Sequence, residues 1–176
     1  DQLVNVQEGV IGGEISSNNF AGVNSTAIRI EEDSSGGGNP QDVDDILISG
    51  NKIRTKTGVT FRFVETTPVR AARNINITGN HFKNCNERAI NDLGANDIDS
   101  IGVMNNTFES CGDNTAFSPV ALQSDNVEFI GNRFKGNTAV QNILSGQNNI
   151  IIGNRFGQGI VSGDAFTSHS SAEIHG

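Results

Sequence analysis

Residues 74–83 read Asn-Ile-Asn-Ile-Thr-Gly-Asn-His-Phe-Lys, and this stretch decides the fold. Ile75 and Ile77 alternate with polar residues, Gly79-Asn80 breaks the run, and Phe82 resumes it. Alternation of period two followed by a Gly-Asn break predicts a short strand, a sharp corner and a second short strand whose Phe faces the same interior. The phrase returns five more times. Ile15-Ser16-Ser17-Asn18-Asn19-Phe20, Ile48-Ser49-Gly50-Asn51-Lys52-Ile53 and Val103-Met104-Asn105-Asn106-Thr107-Phe108 are three of the copies. Phe129-Ile130-Gly131-Asn132-Arg133-Phe134 and Ile151-Ile152-Gly153-Asn154-Arg155-Phe156 complete the set.

Taking Asn18, Asn51, Asn80, Asn106, Asn132 and Asn154 as a ruler, the intervals are 33, 29, 26, 26 and 22 residues. An imperfect repeat of this period is the mark of a solenoid, in which each coil contacts only its neighbours. Ten and twelve residues after the ruler stand Ile28 and Ile30 in one coil and Phe61 and Phe63 in the next. Val120 and Leu122 continue that pattern after a four-residue insertion near Cys111. Each coil therefore gains a third strand after a variable loop. The ruler Asn is expected to turn the corner in the left-handed region, which Asn tolerates better than any residue but Gly. Stacked at roughly 4.8 Å, its side chains are expected to bond from coil to coil, with the Phe residues in a column inside the same corner.

Composition agrees. Of 176 residues, 35% are hydrophobic and 21 are Gly, too little for a large globular core but enough for a narrow solenoid. Ten Phe stand beside no Trp and no Tyr. The net charge of −8 argues against nucleic acid or an anionic membrane as partner. No run approaches the roughly 18 apolar residues of a membrane span. Cys85 and Cys111 both lie five residues after a ruler Asn, so they should stack in adjacent coils.

The six-fold phrase resembles the right-handed parallel β-helix of the pectate-lyase-like superfamily and of phage tailspikes. The resemblance implies an all-β solenoid of about six coils of three short strands, one domain over residues 1–176. Leu3-Val4-Asn5-Val6 and Ala172-Glu173-Ile174-His175 read as parts of further coils, so both ends look cut and the chain is expected to be a segment of a longer solenoid or a protomer of a homotrimer. In function the resemblance implies a tailspike-like protein, extracellular or on a virion, that recognises a surface polysaccharide, with or without cleaving it. A secreted polysaccharide lyase or epimerase is one alternative and a non-catalytic shaft or adhesin another, because this fold serves all three.

Substrate in such proteins lies along an outer face of the stacked sheets. Counting eleven from the ruler places Arg29, Arg62 and Asn91 outward on successive third strands, with Glu65 and Asp92 nearby. On this reading Arg29, Arg62 and Asn91 bind the glycan, while Asp92 and Glu65 supply acid–base chemistry. The plainer alternative is a surface ion-pair cluster. The loop 31–45 carries six carboxylates around a Gly-rich centre and is a candidate Ca²⁺ loop without the fixed ligand spacing of one. No other cofactor or metal site is expected. His81, His169 and His175 lack metal-ligand spacing.

Overall fold

A computed structural model describes residues 2–7, 9–31, 43–62, 72–92, 98–112, 118–136, 142–144, 146–157, 166–168 and 173–175. The strands are β1 (Gln2–Gln7), β2 (Ile11–Ser16), β3 (Asn19–Glu31), β4 (Val43–Ser49), β5 (Lys52–Arg62) and β6 (Ala72–Thr78). Next come β7 (His81–Lys83), β8 (Ile90–Asp92), β9 (Ile98–Met104), β10 (Thr107–Glu109), β11 (Val120–Leu122) and β12 (Glu128–Ile130). The last are β13 (Arg133–Lys135), β14 (Asn142–Leu144), β15 (Ile150–Ile152), β16 (Arg155–Phe156), β17 (Phe166–Ser168) and β18 (Glu173–His175).

All pairing is parallel. One sheet runs β2-β4-β6-β9-β12-β15-β18, and the other joins the remaining strands in two arms that meet at β3 and β5. The chain is thus an all-β parallel solenoid. Its interior is built of rows that repeat once per coil. Ile15, Ile48, Ile77, Val103, Phe129 and Ile151 share one row. Ile28, Val59, Ile90 and Val120 share a second. The third row is Phe20, Ile53, Phe82, Phe108, Phe134 and Phe156. Within it the rings of Phe82 and Phe108, Phe108 and Phe134, and Phe134 and Phe156 stack at 5.2, 4.8 and 4.8 Å. The strand spacing sets this interval, so Phe108 and Phe134 each gain a stacked neighbour on both sides.

The corner beside the Phe row holds the asparagine ladder. The side-chain amide of Asn18 donates to Oδ1 of Asn51 at 3.1 Å, and Asn51 to Asn80 at 3.0 Å. Asn80 donates to Asn106 and Asn106 to Asn132, both at 3.1 Å, and Asn132 to Asn154 at 3.0 Å. The same Oδ1 atoms accept from the backbone N–H of the preceding Asn at 2.8–3.0 Å. The second amide hydrogen reaches back to a carbonyl one coil earlier, as from Asn80 to Ile48 at 2.9 Å and from Asn106 to Ile77 at 2.8 Å. Asn51, Asn80, Asn106 and Asn132 are at most 1% exposed, and their amides satisfy backbone groups that the corner would otherwise orphan.

The left-handed residue is not the ladder Asn but the one before it: Ser17, Gly50, Gly79, Asn105, Gly131 and Gly153 all have φ between 55° and 64°. The division is physical. The residue before absorbs the backbone turn, which leaves the Asn side chain free to serve the ladder. Gly12, Asp45, Asn74, Ser100, Asn126 and Asn148 form a second left-handed column at the other end of the β2–β18 sheet strands, and Asn84, Ser110 and Gly136 a third. Where that third column begins, the long strands β3 and β5 give way to separate pieces such as β7 and β8. The expected three strands per coil are therefore merged into two in the β3 and β5 coils.

One expected register differs. Ile28 pairs with Val59 and Ile30 with Phe61, because a bulge between Gly22 and Thr26 takes up two extra residues in β3. Counting from the ruler runs two residues out of step across this bulge.

Replacing Asn80 by Ala removes these bonds and leaves the buried N–H of Asn51 without its acceptor. The domain should lose roughly 1–3 kcal/mol, read as a lower urea midpoint; an unchanged midpoint would contradict the ladder. Gly79→Ala, whose added methyl meets nothing within 4 Å, should cost only the left-handed strain, about 1 kcal/mol.

Candidate functional site

The structure rearranges the residues expected to form a site. Arg29 lies level with Asn5, Thr60, Asn91, Ala121 and Ile143. Arg62 lies level with Glu31 rather than Arg29, so the two arginines do not stack one strand apart. Glu65 and residues 32–42 of the acidic loop fall outside the described residues. Thr60, Asn91 and Ala121 are only 5–7% exposed, so this row is covered rather than open. Arg88 Nη1 donates to Asn91 Oδ1 at 2.9 Å. Arg29 holds Glu31 at 3.6 Å, and Glu31 also accepts from Asn5 at 2.8 Å.

Asp92 is placed by β8 at an inward position and is 5% exposed. Its Oδ2 accepts from the backbone N–H of Gln123 and from the hydroxyl of Ser124, both at 3.1 Å. These donors tie one coil to the next, a structural use for a buried carboxylate. At the end of the acidic loop, Asp44 accepts from Asn74 and from the backbone of Asp45, each at 2.9 Å. Among the described residues no group of three or more His, Cys, Asp or Glu is arranged to hold a metal ion. Cys85 and Cys111 are buried free thiols in neighbouring coils, the N–H of Gly112 bonding the carbonyl of Cys85 at 2.9 Å. Burial, with Cys85 alongside, pushes the Cys111 thiol well up, which leaves it a poor nucleophile.

An open polar groove lies on the other sheet. β6, β9, β12 and β15 set Asn76, Gly102, Glu128 and Ile150 in one outward row. Beside it runs the left-handed column Asn74, Ser100, Asn126 and Asn148, and the two rows line a concavity of about 400 Å³. The left-handed residues lie within β6 and β9, at Asn74 and Ser100, and two positions ahead of β12 and β15, at Asn126 and Asn148. Gly102 forms the floor: a Cβ there would stand 2.6 Å from Asn76 Oδ1 and 2.9 Å from Met104 Cε. Met104, Ile130 and Ile152 continue outward along one margin, with Ile152 38% exposed. Neither the column nor the floor stands out in the sequence. The only trace is the outward Asn74 and Asn76 of the opening phrase.

A third grouping lies across the Asn corner. His81 Nε2 and Lys83 Nζ reach the two oxygens of Glu109 at 2.9 and 2.6 Å. Hydrogen bonds from Lys83 and then His81 hold the Glu109 carboxyl below its ordinary value.

No known protein family, curated protein or solved structure matches this chain, so its function rests on this geometry.

Asp92→Ala should lower the urea midpoint by the equivalent of roughly 1–3 kcal/mol, since two donors lose their acceptor; an unchanged midpoint would release Asp92 from this structural role. Glu109, its folded value lowered, stabilises the fold above the unfolded glutamate value of about 4.3, and that contribution fades as pH falls through the folded value. An NMR titration should find Glu109 inflecting below about 4.3 and rising towards it in Lys83→Met; no rise would mean the contact is unpopulated in solution.

Proposed function

We propose that this solenoid is a polysaccharide-recognition segment of the tailspike type, and that the glycan lies in the groove over Asn76, Gly102 and Glu128. The observation that carries the reading is the lining. Side-chain amides of Asn74, Asn76, Asn126 and Asn148 and the hydroxyl of Ser100 stand around one concavity. Amides and hydroxyls both donate and accept, which suits the paired donor and acceptor character of sugar hydroxyls. Ile150 in the lining and Ile152 at the margin offer apolar surface to the C–H face of a ring. The row crosses four strands, roughly 14 Å, on the order of three sugar units.

The reading is recognition first. Glycoside hydrolysis commonly uses two carboxylates, and Glu128 is the one carboxylate among the described lining residues. Cleavage by Asp92 with Glu65 would require Asp92 to leave its two donors. Homotrimeric association and a virion or extracellular setting belong to the same proposal.

Asn76→Leu combined with Glu128→Gln alters two exposed side chains and should leave the melting temperature within about 2 °C, as is usual for surface substitutions. Screened on an array of bacterial surface polysaccharides and then titrated, the double variant should bind the best ligand at least about tenfold more weakly, the equivalent of losing one or two net hydrogen bonds. Undiminished binding, or no ligand for the parent chain, would overturn the groove.

A further inference from the structure

The chain is acidic overall, at −8, yet one of its faces is basic. The short strands that follow the ladder Asn turn their odd positions outward. Lys52, His81, Thr107, Arg133 and Arg155 lie in one register column. Lys83, Glu109 and Lys135 lie in the next, and Arg54, two residues beyond Lys52, faces the same way. Six of the twelve Lys and Arg residues, Lys52, Arg54, Lys83, Arg133, Lys135 and Arg155, therefore share a single face. Among the described residues of these two columns, Glu109 is the only acid, and His81 and Lys83 already occupy it.

The remaining cations stay exposed. Arg133 sits directly across from Arg155 in the paired strands β13 and β16. Like charges placed opposite each other in a sheet destabilise it, and a chain at −8 does not need them for solubility. The arrangement suits a negative partner that runs along the axis. Successive coils repeat at roughly 4.8 Å, so the columns extend about 19 Å from Lys52 to Arg155.

We propose that this face binds a linear acidic polysaccharide, one bearing carboxylate or sulfate on successive sugars, lying parallel to the solenoid axis. One coil spans about one sugar, taking roughly 10 Å for two sugars. The exposed cations fall at the two ends of the face, Lys52 and Arg54 at one and Arg133, Lys135 and Arg155 at the other, with the Glu109 coil between them. Single-stranded nucleic acid fits less well, because its binding surfaces stack bases on exposed aromatic rings. Here Phe82, Phe108 and Phe134 point into the core and are at most 1% exposed. The face lies across the ladder corner from the amide-lined groove and does not depend on it.

The test is affinity electrophoresis and titration calorimetry of the full chain against polygalacturonate, with dextran sulfate, neutral dextran and an oligodeoxynucleotide alongside. The parent should be retarded by polygalacturonate or dextran sulfate and not by neutral dextran, with retardation falling as salt rises. The triple variant Arg133→Gln, Lys135→Gln and Arg155→Gln should bind about tenfold more weakly, as expected for three exposed ion pairs each worth roughly a factor of two. A control, Arg73→Gln, Gln123→Glu and Gln147→Glu, makes the same change in net charge at exposed positions elsewhere and should bind within about twofold of the parent, since none of its substitutions lies on the face. No retardation of the parent, or equal loss in both variants, would overturn the proposal. Tighter binding of the oligodeoxynucleotide than of either polyanionic glycan would overturn the saccharide assignment. Salt-sensitive self-association of the parent, lost in the triple variant, would instead assign the face to a second copy of this chain.

Discussion

The inner coils of this solenoid depend on a side-chain amide, that of Asn51, Asn80, Asn106 or Asn132, that bonds four ways. An Asn in the ladder accepts from the amide and the backbone N–H of the preceding Asn, donates to the next Asn, and returns its second hydrogen to a carbonyl of the coil behind. A parallel strand cannot close its own corner as a hairpin does, so the backbone groups at a β-helix corner need external partners. Few side chains other than Asn offer both a short reach and balanced donors and acceptors. The Phe column beside the ladder supplies the apolar half of the same corner. Polar satisfaction and ring stacking repeat at one interval because the strand spacing dictates both.

What the sequence made legible follows from that repetition. Asn18, Asn51, Asn80, Asn106, Asn132 and Asn154 recur with an apolar residue two positions further on, so ladder and core column could be read directly. The third strands were less legible. Two residues absorbed in the bulge between Gly22 and Thr26 shift the count from the ruler, and nothing in Val23-Asn24-Ser25 marks where they are taken up. The expected pairing of Arg29 with Arg62 failed on that shift. The corner residue was misplaced by one, because Gly and Asn stand side by side and both tolerate a left-handed backbone.

The candidate surfaces were less legible for a different reason. Asn91 and Asp92 look outward and polar in the sequence, but burial and hydrogen-bond partners are properties of neighbouring coils. The groove is bordered by a column of left-handed residues, and these are as different as Ser100 and Asn126. The basic face did leave a trace. Lys52, His81, Arg133 and Arg155 each follow a ladder Asn directly. An overall charge of −8 hides that pattern, because net charge sums over faces that the fold keeps apart.

The ladder also has a direction. From Asn51 to Asn132 each carboxamide presents its carbonyl oxygen to the preceding coil and a hydrogen to the next. Dipoles aligned this way add rather than cancel, as peptide dipoles do along a helix, and bonds in such a chain polarise one another. The ladder is thereby electrically polar along its length, negative towards the Asn18 coil and positive towards the Asn154 coil. An oriented chain laid against it, with distinct reducing and non-reducing ends, meets two different termini and has a preferred sense in which to lie.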